Sequence, residues 1–221
     1  MIGRHSAVWQ HVARQLKGQG PAFEAISHRD VSGFRFTRND RVWLLSFSWV
    51  EEENATLLAR MAAASVAEIV YLSSSSTIIQ QRTTCYRYPR VKAAAERSAL
   101  ALPQARVLIV GLMHGDEEEL PRGTNIATTY DELARFMKSP QWPDDSERTK
   151  TLFRIVTRPF RNGLERLAFA SYGGLMAACG RLPCLLRPLD LVLKTFGARW
   201  YGYTYLSNTL WISTISSSAR A

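Results

Sequence analysis

Cysteine is scarce in this chain. Cys85, Cys179 and Cys184 form no Cys-x-x-Cys pair and leave one residue over, which argues against a disulfide framework and predicts a reduced, cytoplasmic setting. The longest apolar uncharged run, Leu167 to Gly180, has 14 residues, short of the roughly 18 or more that a membrane-crossing helix needs. The first residues lack the apolar core of a secretory signal, so export is not expected. Asp116 to Glu119 is acidic, but no histidine or further carboxylate stands at ligand spacing. That predicts a solvated turn and no metal. There is no internal repeat, and the basic residues carry no recognisable nucleic-acid-reading motif, which makes nucleic acid an unlikely partner.

What is present is an ordinary globular composition, 46% hydrophobic and 21% charged over 221 residues, enough to bury a core as one large domain or a domain with an appendage. The net charge of +9 is unevenly placed. Between Arg148 and Arg199 ten basic residues stand against Glu165 and Asp190, so the C-terminal third is expected to meet an anion, whether a pyrophosphate substrate, an acidic lipid surface or nucleic acid.

The most informative stretch runs from Tyr71 to Lys92. Glu68 to Leu72 is a short β-rich apolar run that the serines Ser73 to Ser76 stop, as a strand end would. Pro89 suits the first turn of a helix, and Val91 to Leu100 continues with strong helix formers, so Tyr88 and Lys92 share one face at a helix start. A nearby ammonium favours a phenolate and lowers a phenol's pKa from about 10. Such a tyrosine can exchange a proton with an alcohol or carbonyl while a serine holds the substrate oxygen.

Ser75, Tyr88 and Lys92, lying between the strand at 68–72 and the next apolar strand at 106–111, resemble the active-site segment of the short-chain dehydrogenase/reductase superfamily. The resemblance implies that Tyr88 transfers the proton, that Lys92 lowers its pKa and holds the nicotinamide ribose, and that Ser75, or Ser74 within the serine run, orients the substrate. Gly3 and Ser6 match a loosened form of that superfamily's glycine-rich turn, with Trp9 in place of the third glycine. Without the family, the same residues read as a helix N-terminus, since Val8, Val12 and Leu16 have helical spacing up to Lys17–Gly20.

Phe23 to Ser27 reads as a second strand followed by His28, Arg29 and Asp30. Arg29, with Arg4, favours the 2′-phosphate of NADP over NAD, against the alternative of a solvated basic loop. Arg41 to Trp49 is an apolar strand that begins too soon after the second for a full crossover, so one βα unit is expected to be missing or reduced to Gly33–Thr37. With its Ser27-His28-Arg29-Asp30, this compression is similar to atypical, extended-type members resembling the sugar-nucleotide epimerases and dehydratases of polysaccharide gene clusters. Glu51 to Ser65 should be a helix turning Leu57, Leu58 and Met61 to the sheet. Ala105 to Gly115 resembles the superfamily's strand and loop beside the nicotinamide, which makes His114 a candidate substrate contact.

Beyond it, Thr128 to Lys138 is a capped helix broken by Ser139–Asp145, and Thr151–Thr157, Leu164–Cys179 and Leu189–Phe196 read as basic, apolar helical segments. The tail from Trp200 to Trp211 is aromatic and largely β-prone, suited to a lid or an aromatic wall. The expected architecture is α/β: a Rossmann-like, mostly parallel sheet with flanking helices, compressed by one βα unit, in residues 1–115. Residues 116–221 form a basic helical C-terminal portion, a substrate cap or membrane-surface region packed on the core. The implied activity is NADP- or NAD-dependent oxidation-reduction or epimerisation of a nucleotide- or lipid-linked sugar. A catalytically degenerate Rossmann module serving a membrane-associated complex is the competing reading. An anionic membrane surface on the inner face, a membrane protein and a second copy of the chain are the further candidate partners.

Overall fold

The computed structural model describes residues 1–16, 23–46, 48–144, 146–179, 183–195 and 202–218. The expected helix end at Lys17–Gly20, the basic residues Arg181 and Arg199, and Trp200 and Tyr201 of the tail lie outside these. In chain order the elements are α1 (Ala7–Leu16), β1 (Arg41–Leu44), α2 (Glu51–Ala63), β2 (Glu68–Ser74), α3 (Arg87–Leu100), β3 (Ala105–Val110), β4 (Leu112–His114) and β5 (Gly123–Thr129). They continue with α4 (Tyr130–Lys138), β6 (Thr149–Leu152), β7 (Arg154–Arg158), α5 (Gly163–Cys179), α6 (Pro183–Thr195) and α7 (Gly202–Ser218).

The main sheet has the order β1-β2-β3-β6 with every pair parallel. Single parallel bridges add Ile2 beside Leu44 and Ile26 beside Ile2. Alternation along the strands sends side chains to two cores. Ile69, Tyr71, Val107 and Ile109 pack with Leu57, Leu58 and Met61 of α2 and with Ala95 and Ala99 of α3. Val70, Leu72, Leu108 and Val110 pack with Val12 and Leu16 of α1 and with Leu133 and Met137 of α4. This is a Rossmann-like α/β fold, a mostly parallel sheet covered by helices on both faces. β4, β5 and β7 form a smaller second sheet.

Several elements differ from expectation. The second strand expected over Phe23–Ser27 is reduced to the bridge at Ile26, and the strand expected to reach Trp49 ends at Leu44. Between Ile26 and β1 there is only a 3-10 turn, Asp30–Gly33, so the βα unit that a longer chain would place there is absent. Thr151–Thr157, read as helical, is β6 and β7 instead. The four-residue spacing of Lys150, Arg154 and Arg158 imitates a helix face, while the β-branched Thr149, Thr151, Ile155, Val156 and Thr157 favour strands. The aromatic tail, read as β-prone, is helical in α7, because tertiary packing of Tyr203, Tyr205, Leu206 and Leu210 on Ile79, Tyr86 and Tyr172 overrides local propensity. Residues 116–221 are threaded into the rest: β6 is an edge strand of the main sheet.

The two sheets approach closely at Gly111. A Cβ there would stand 2.5 Å from the Ile126 carbonyl oxygen and 2.7 Å from the Ala127 nitrogen, both backbone atoms that cannot swing aside. Gly111→Ala should therefore lower stability by about 2–3 kcal/mol through overpacking, read as a lower urea midpoint. An unchanged midpoint would show that the sheets separate without cost.

Candidate active site

The sheet changes direction of growth between Ile2 and β1, since the chain runs outward from Ile2 to Ile26 and then returns inward to β1. Open α/β sheets bind ligands at such a switch point, beyond the carboxyl ends of the strands. A cleft of about 1300 Å³ opens there, and Gly3, Arg4, Ser6 and Arg29 all line it. Gly3 takes φ +121, a conformation that only glycine adopts freely. Ser6 caps α1 by accepting from the Trp9 N–H at 3.1 Å, so the helix N-terminus that favours anions faces this end of the sheet. Trp9 does not stand open in the turn: its ring packs edge-on to Phe23 at 6.1 Å.

Arg4 and Asp30 pair at 3.2 Å across the same cleft. His28 and Ser46 also line it, and the His28 Nε2 and Ser46 Oγ atoms are buried without a hydrogen-bond partner. Buried orphaned polar atoms are uncommon, and two in one wall suit a polar ligand. Burial lowers the His28 pKa, with Glu53 opposing. The glycine turn, the helix N-terminus, two arginines and orphaned polar atoms together fit a nicotinamide dinucleotide.

The serine run, Tyr88 and Lys92 meet where β2 ends. Ser74 caps a 3-10 turn, Ser75–Gln81, by accepting from the Ser76 N–H, and its hydroxyl is hydrogen-bonded to the Tyr88 phenol. Ser75 is buried beside it and accepts at its carbonyl from Trp211 Nε1 at 2.8 Å. Of the two serines, Ser74 is the one that pairs with the tyrosine side chain. Lys92, 5% exposed, donates from Nζ to the Leu72 carbonyl at 2.7 Å and lies 5.0 Å from the Tyr71 ring centroid. Burial draws its pKa down to about 7, with Glu96 opposing. Glu96 accepts from Ser73 Oγ at 2.8 Å, and burial raises its pKa against the hydrogen bonds of Ser73 and Thr77 and the charge of Lys92.

The Tyr88 pKa is raised, not lowered: burial dominates, and the Ser74 hydrogen bond opposes it. With its pKa drawn to about 7, Lys92 is charged only in part at neutral pH and supports the phenolate less than a free ammonium would.

The C-terminal portion packs on the tyrosines and not on the cleft, whose lining among the described residues comes from positions 3 to 60. Tyr203 stacks on Tyr88 with centroids 5.7 Å apart and planes 25° apart, while Tyr86 meets Tyr203 edge-on. Trp49, a residue of the cleft wall, lies 6.1 Å from the Tyr88 ring, so it joins the cleft to the serine and tyrosine. Ser74, Ser75, Tyr88, Lys92 and His114 do not themselves line the cleft. His114 is placed at the end of β4, 1% exposed, with Nδ1 3.1 Å from the Asp116 carbonyl and Nε2 buried without a partner. Among the described residues there is no cluster able to hold a metal ion.

Sequence reasoning passed over His28, Ser46, Trp49 and Glu96 as site residues. Trp49 and Ser46 could have been found from their place just beyond β1. Tyr203 falls within the aromatic tail read as a lid or aromatic wall, but nothing local singles it out from the other aromatics there.

No protein-family model and no curated protein sequence matches the chain. Among solved structures it is similar to MoeE5 in complex with UDP-glucuronic acid and NAD, at TM-score 0.50 and 14% identity over 70% of this chain and 76% of that one. It is similar also to a UDP-N-acetylglucosamine 4-epimerase from Bacillus cereus, at TM-score 0.52 and 13% identity over 78% and 83% of the two chains. A third is TunA, an NAD-dependent NDP-hexosamine 5,6-dehydratase involved in tunicamycin biosynthesis, at TM-score 0.50 and 13% identity over 77% and 80%. These likenesses show the fold.

The buried Lys92 makes stability depend on pH. Its folded pKa of about 7 lies below the ordinary lysine value, so between roughly pH 7 and 10.5 the unfolded chain holds the extra proton and stability rises with pH. Lys92→Met removes this dependence. The stability difference, variant minus wild type, should shrink by about 3 kcal/mol from pH 7 to pH 10 in urea titrations. A constant difference would show that Lys92 keeps its proton in the fold.

Proposed function

We propose that the chain is an NAD(P)-dependent oxidoreductase or epimerase of the short-chain dehydrogenase type, acting on a hydroxyl or keto group of a nucleotide- or lipid-linked sugar. The observation that carries this reading is the hydrogen-bonded Ser74–Tyr88 pair, set one helical turn from buried Lys92 and joined through Trp49 to a polar cleft at the sheet's switch point. The solved structures of similar fold include proteins named for NAD and for UDP- or NDP-sugars, which supports the same class of substrate.

In this reading Gly3 lets the backbone approach a pyrophosphate at the N-terminus of α1, with Ser6 and Arg4 beside it. Arg29 faces the 2′-phosphate of NADP, while Asp30 offers a carboxylate to the ribose of NAD. Bound nicotinamide would supply hydride exchange. Tyr88 moves a proton between its hydroxyl and the substrate oxygen, and Ser74, with Ser75 behind it, orients that oxygen. Lys92 would reach the ribose only by leaving the Leu72 carbonyl, and its charge, when present, favours the phenolate. His114, with its buried Nε2, is the further candidate for a substrate contact.

Two observations favour a second reading, a catalytically degenerate Rossmann module that binds a partner. Tyr203 stacks on the face of Tyr88, and Lys92 is turned to a backbone carbonyl with a pKa near neutrality.

Titration of NADP and NAD against the purified protein, followed by tryptophan quenching, separates the two readings. NADP should bind the more tightly, and Arg29→Ala should weaken NADP on the order of tenfold, the loss of one charge-assisted phosphate contact, with little change for NAD. Equal affinities would remove the preference for NADP. Failure of both cofactors to bind would leave the binding module.

Tyr88→Phe deletes the proton carrier and little contact surface. It should reduce turnover of nucleotide sugars by about a hundredfold or more with cofactor affinity retained. Full activity in that variant would remove Tyr88 from the mechanism.

A further inference from the structure

α5 and α6 are bound to each other by the Tyr172 hydroxyl, which donates to buried Asp190 at 2.9 Å. Their inner faces pack against α7 through Tyr172, Met176, Leu186 and the Phe169–Tyr205 contact. Their outer faces are open and have the wrong composition for water. On α5, Leu164 is 79% exposed and Leu167 64%, with Leu175 on the same stripe; the remaining exposed positions of that helix are glycine, alanine, one serine and Arg166. On α6, Leu191 is 57% exposed and Val192 52%, with Leu185 beside them, and Arg187 is the one charged residue on that exposed face among the described residues.

The acidic side chains of the pair are engaged elsewhere. Glu165 is half-buried and accepts from the Arg161 N–H at 2.7 Å, and Asp190 is buried. Contiguous apolar surface of this kind marks an interaction site. Arginine as its only exposed charge among the described residues selects among occupants. A second copy of the same face would bring arginines together with no exposed carboxylate to pair them, whereas phosphate headgroups over acyl chains complement both features. Among the described residues no helix is long and apolar enough to cross a membrane, which leaves a helix pair lying in the plane of the surface.

We infer that the outer face of the α5–α6 pair docks the protein on an anionic membrane surface, with Leu164, Leu167, Leu191 and Val192 in the acyl boundary and Arg166 and Arg187 at the headgroups. The inference does not rest on the catalytic reading. It does place the active-site wall near lipid, because α7 lies beneath this pair and bonds Ser75 through Trp211.

The test is co-sedimentation of the full chain with phosphatidylcholine vesicles, with and without phosphatidylglycerol, at low and high salt. Binding should require phosphatidylglycerol and weaken as salt rises. Two exposed-site variants probe the two terms separately: Leu167→Gln with Leu191→Gln, and Arg166→Gln with Arg187→Gln. Each should reduce the bound-to-free ratio by about tenfold or more while leaving the thermal midpoint and cofactor affinity unchanged. No sedimentation with anionic vesicles at low salt, equal binding to neutral vesicles, or full binding by both variants overturns the inference. So does a dimer in light scattering that the leucine variant dissociates, which would assign the face to a second copy of the chain.

Discussion

A lysine ammonium enclosed between β2 and α3 is the constraint on which the site depends. A charge inside protein is costly unless it is paired and hydrogen-bonded, and the Leu72 carbonyl, the Tyr71 ring and the nearby Glu96 offset that cost for Lys92 only in part, since burial still draws its pKa to about 7. The enclosure itself follows from sequence: Ala93, Ala95 and Ala99 are buried on α3, and such small side chains let the helix sit close to the strands and exclude water. The same close approach carries Tyr88, one turn earlier, to Ser74 at the strand end. Packing therefore sets both the contact and the titration, and the two work against each other. What brings the phenol to the serine also raises its pKa and drives the lysine toward neutrality.

The other half of the site comes from the far end of the chain. Asp190 accepts from the Tyr172 hydroxyl and from the Gly202 N–H, each at 2.9 Å, and pairs with Lys194 at 3.2 Å. One buried carboxylate thus fastens α5, α6 and the start of α7. Gly202 suits that place, because a Cβ would crowd the Tyr86 hydroxyl and the Met176 sulfur, which would have to move. With that turn fixed, Tyr203 follows directly onto Tyr88. A change at Asp190 would be felt at the tyrosine face without touching it.

Local pattern carries the core of this fold well and its edges poorly. The run 68–74, the helix from Arg87 and the strand 105–110 could be read because alternating apolar residues, serines and alanines agree there with the tertiary structure. The missing βα unit was legible from chain length alone, since too few residues separate Ile26 from Arg41. The strands at 149–158 were not, because basic residues at helical spacing overlay β-branched ones. The helical tail was not legible either. Its aromatics are β-prone in isolation, and what makes them helical is a surface to which Ile79 and Tyr86, more than a hundred positions earlier, contribute together with Tyr172. For the site, the Ser–Tyr–Lys spacing was visible, but the choice of Ser74 for the phenol depends on where the 3-10 turn begins, and the direction of the Tyr88 shift depends on burial. Neither property is written in spacing.

Charge in the cleft follows a similar logic of competing partners. Arg4 and Asp30 form a pair in which both side chains are about half exposed, and pairs of that kind contribute only about 0–1 kcal/mol. Glu53 is occupied by the Ser48 hydroxyl at 2.5 Å, and Arg60 by the Ser32 carbonyl. An anion reaching the N-terminus of α1 would therefore displace only the weak Arg4–Asp30 pair. Releasing Arg4 to a phosphate would free the Asp30 carboxylate to accept hydrogen bonds from hydroxyl groups of the same ligand. On the proposed reading, an arginine and a carboxylate that pair at 3.2 Å in the free protein would take neighbouring phosphate and hydroxyl groups of one ligand, and their mutual attraction is too small to oppose it.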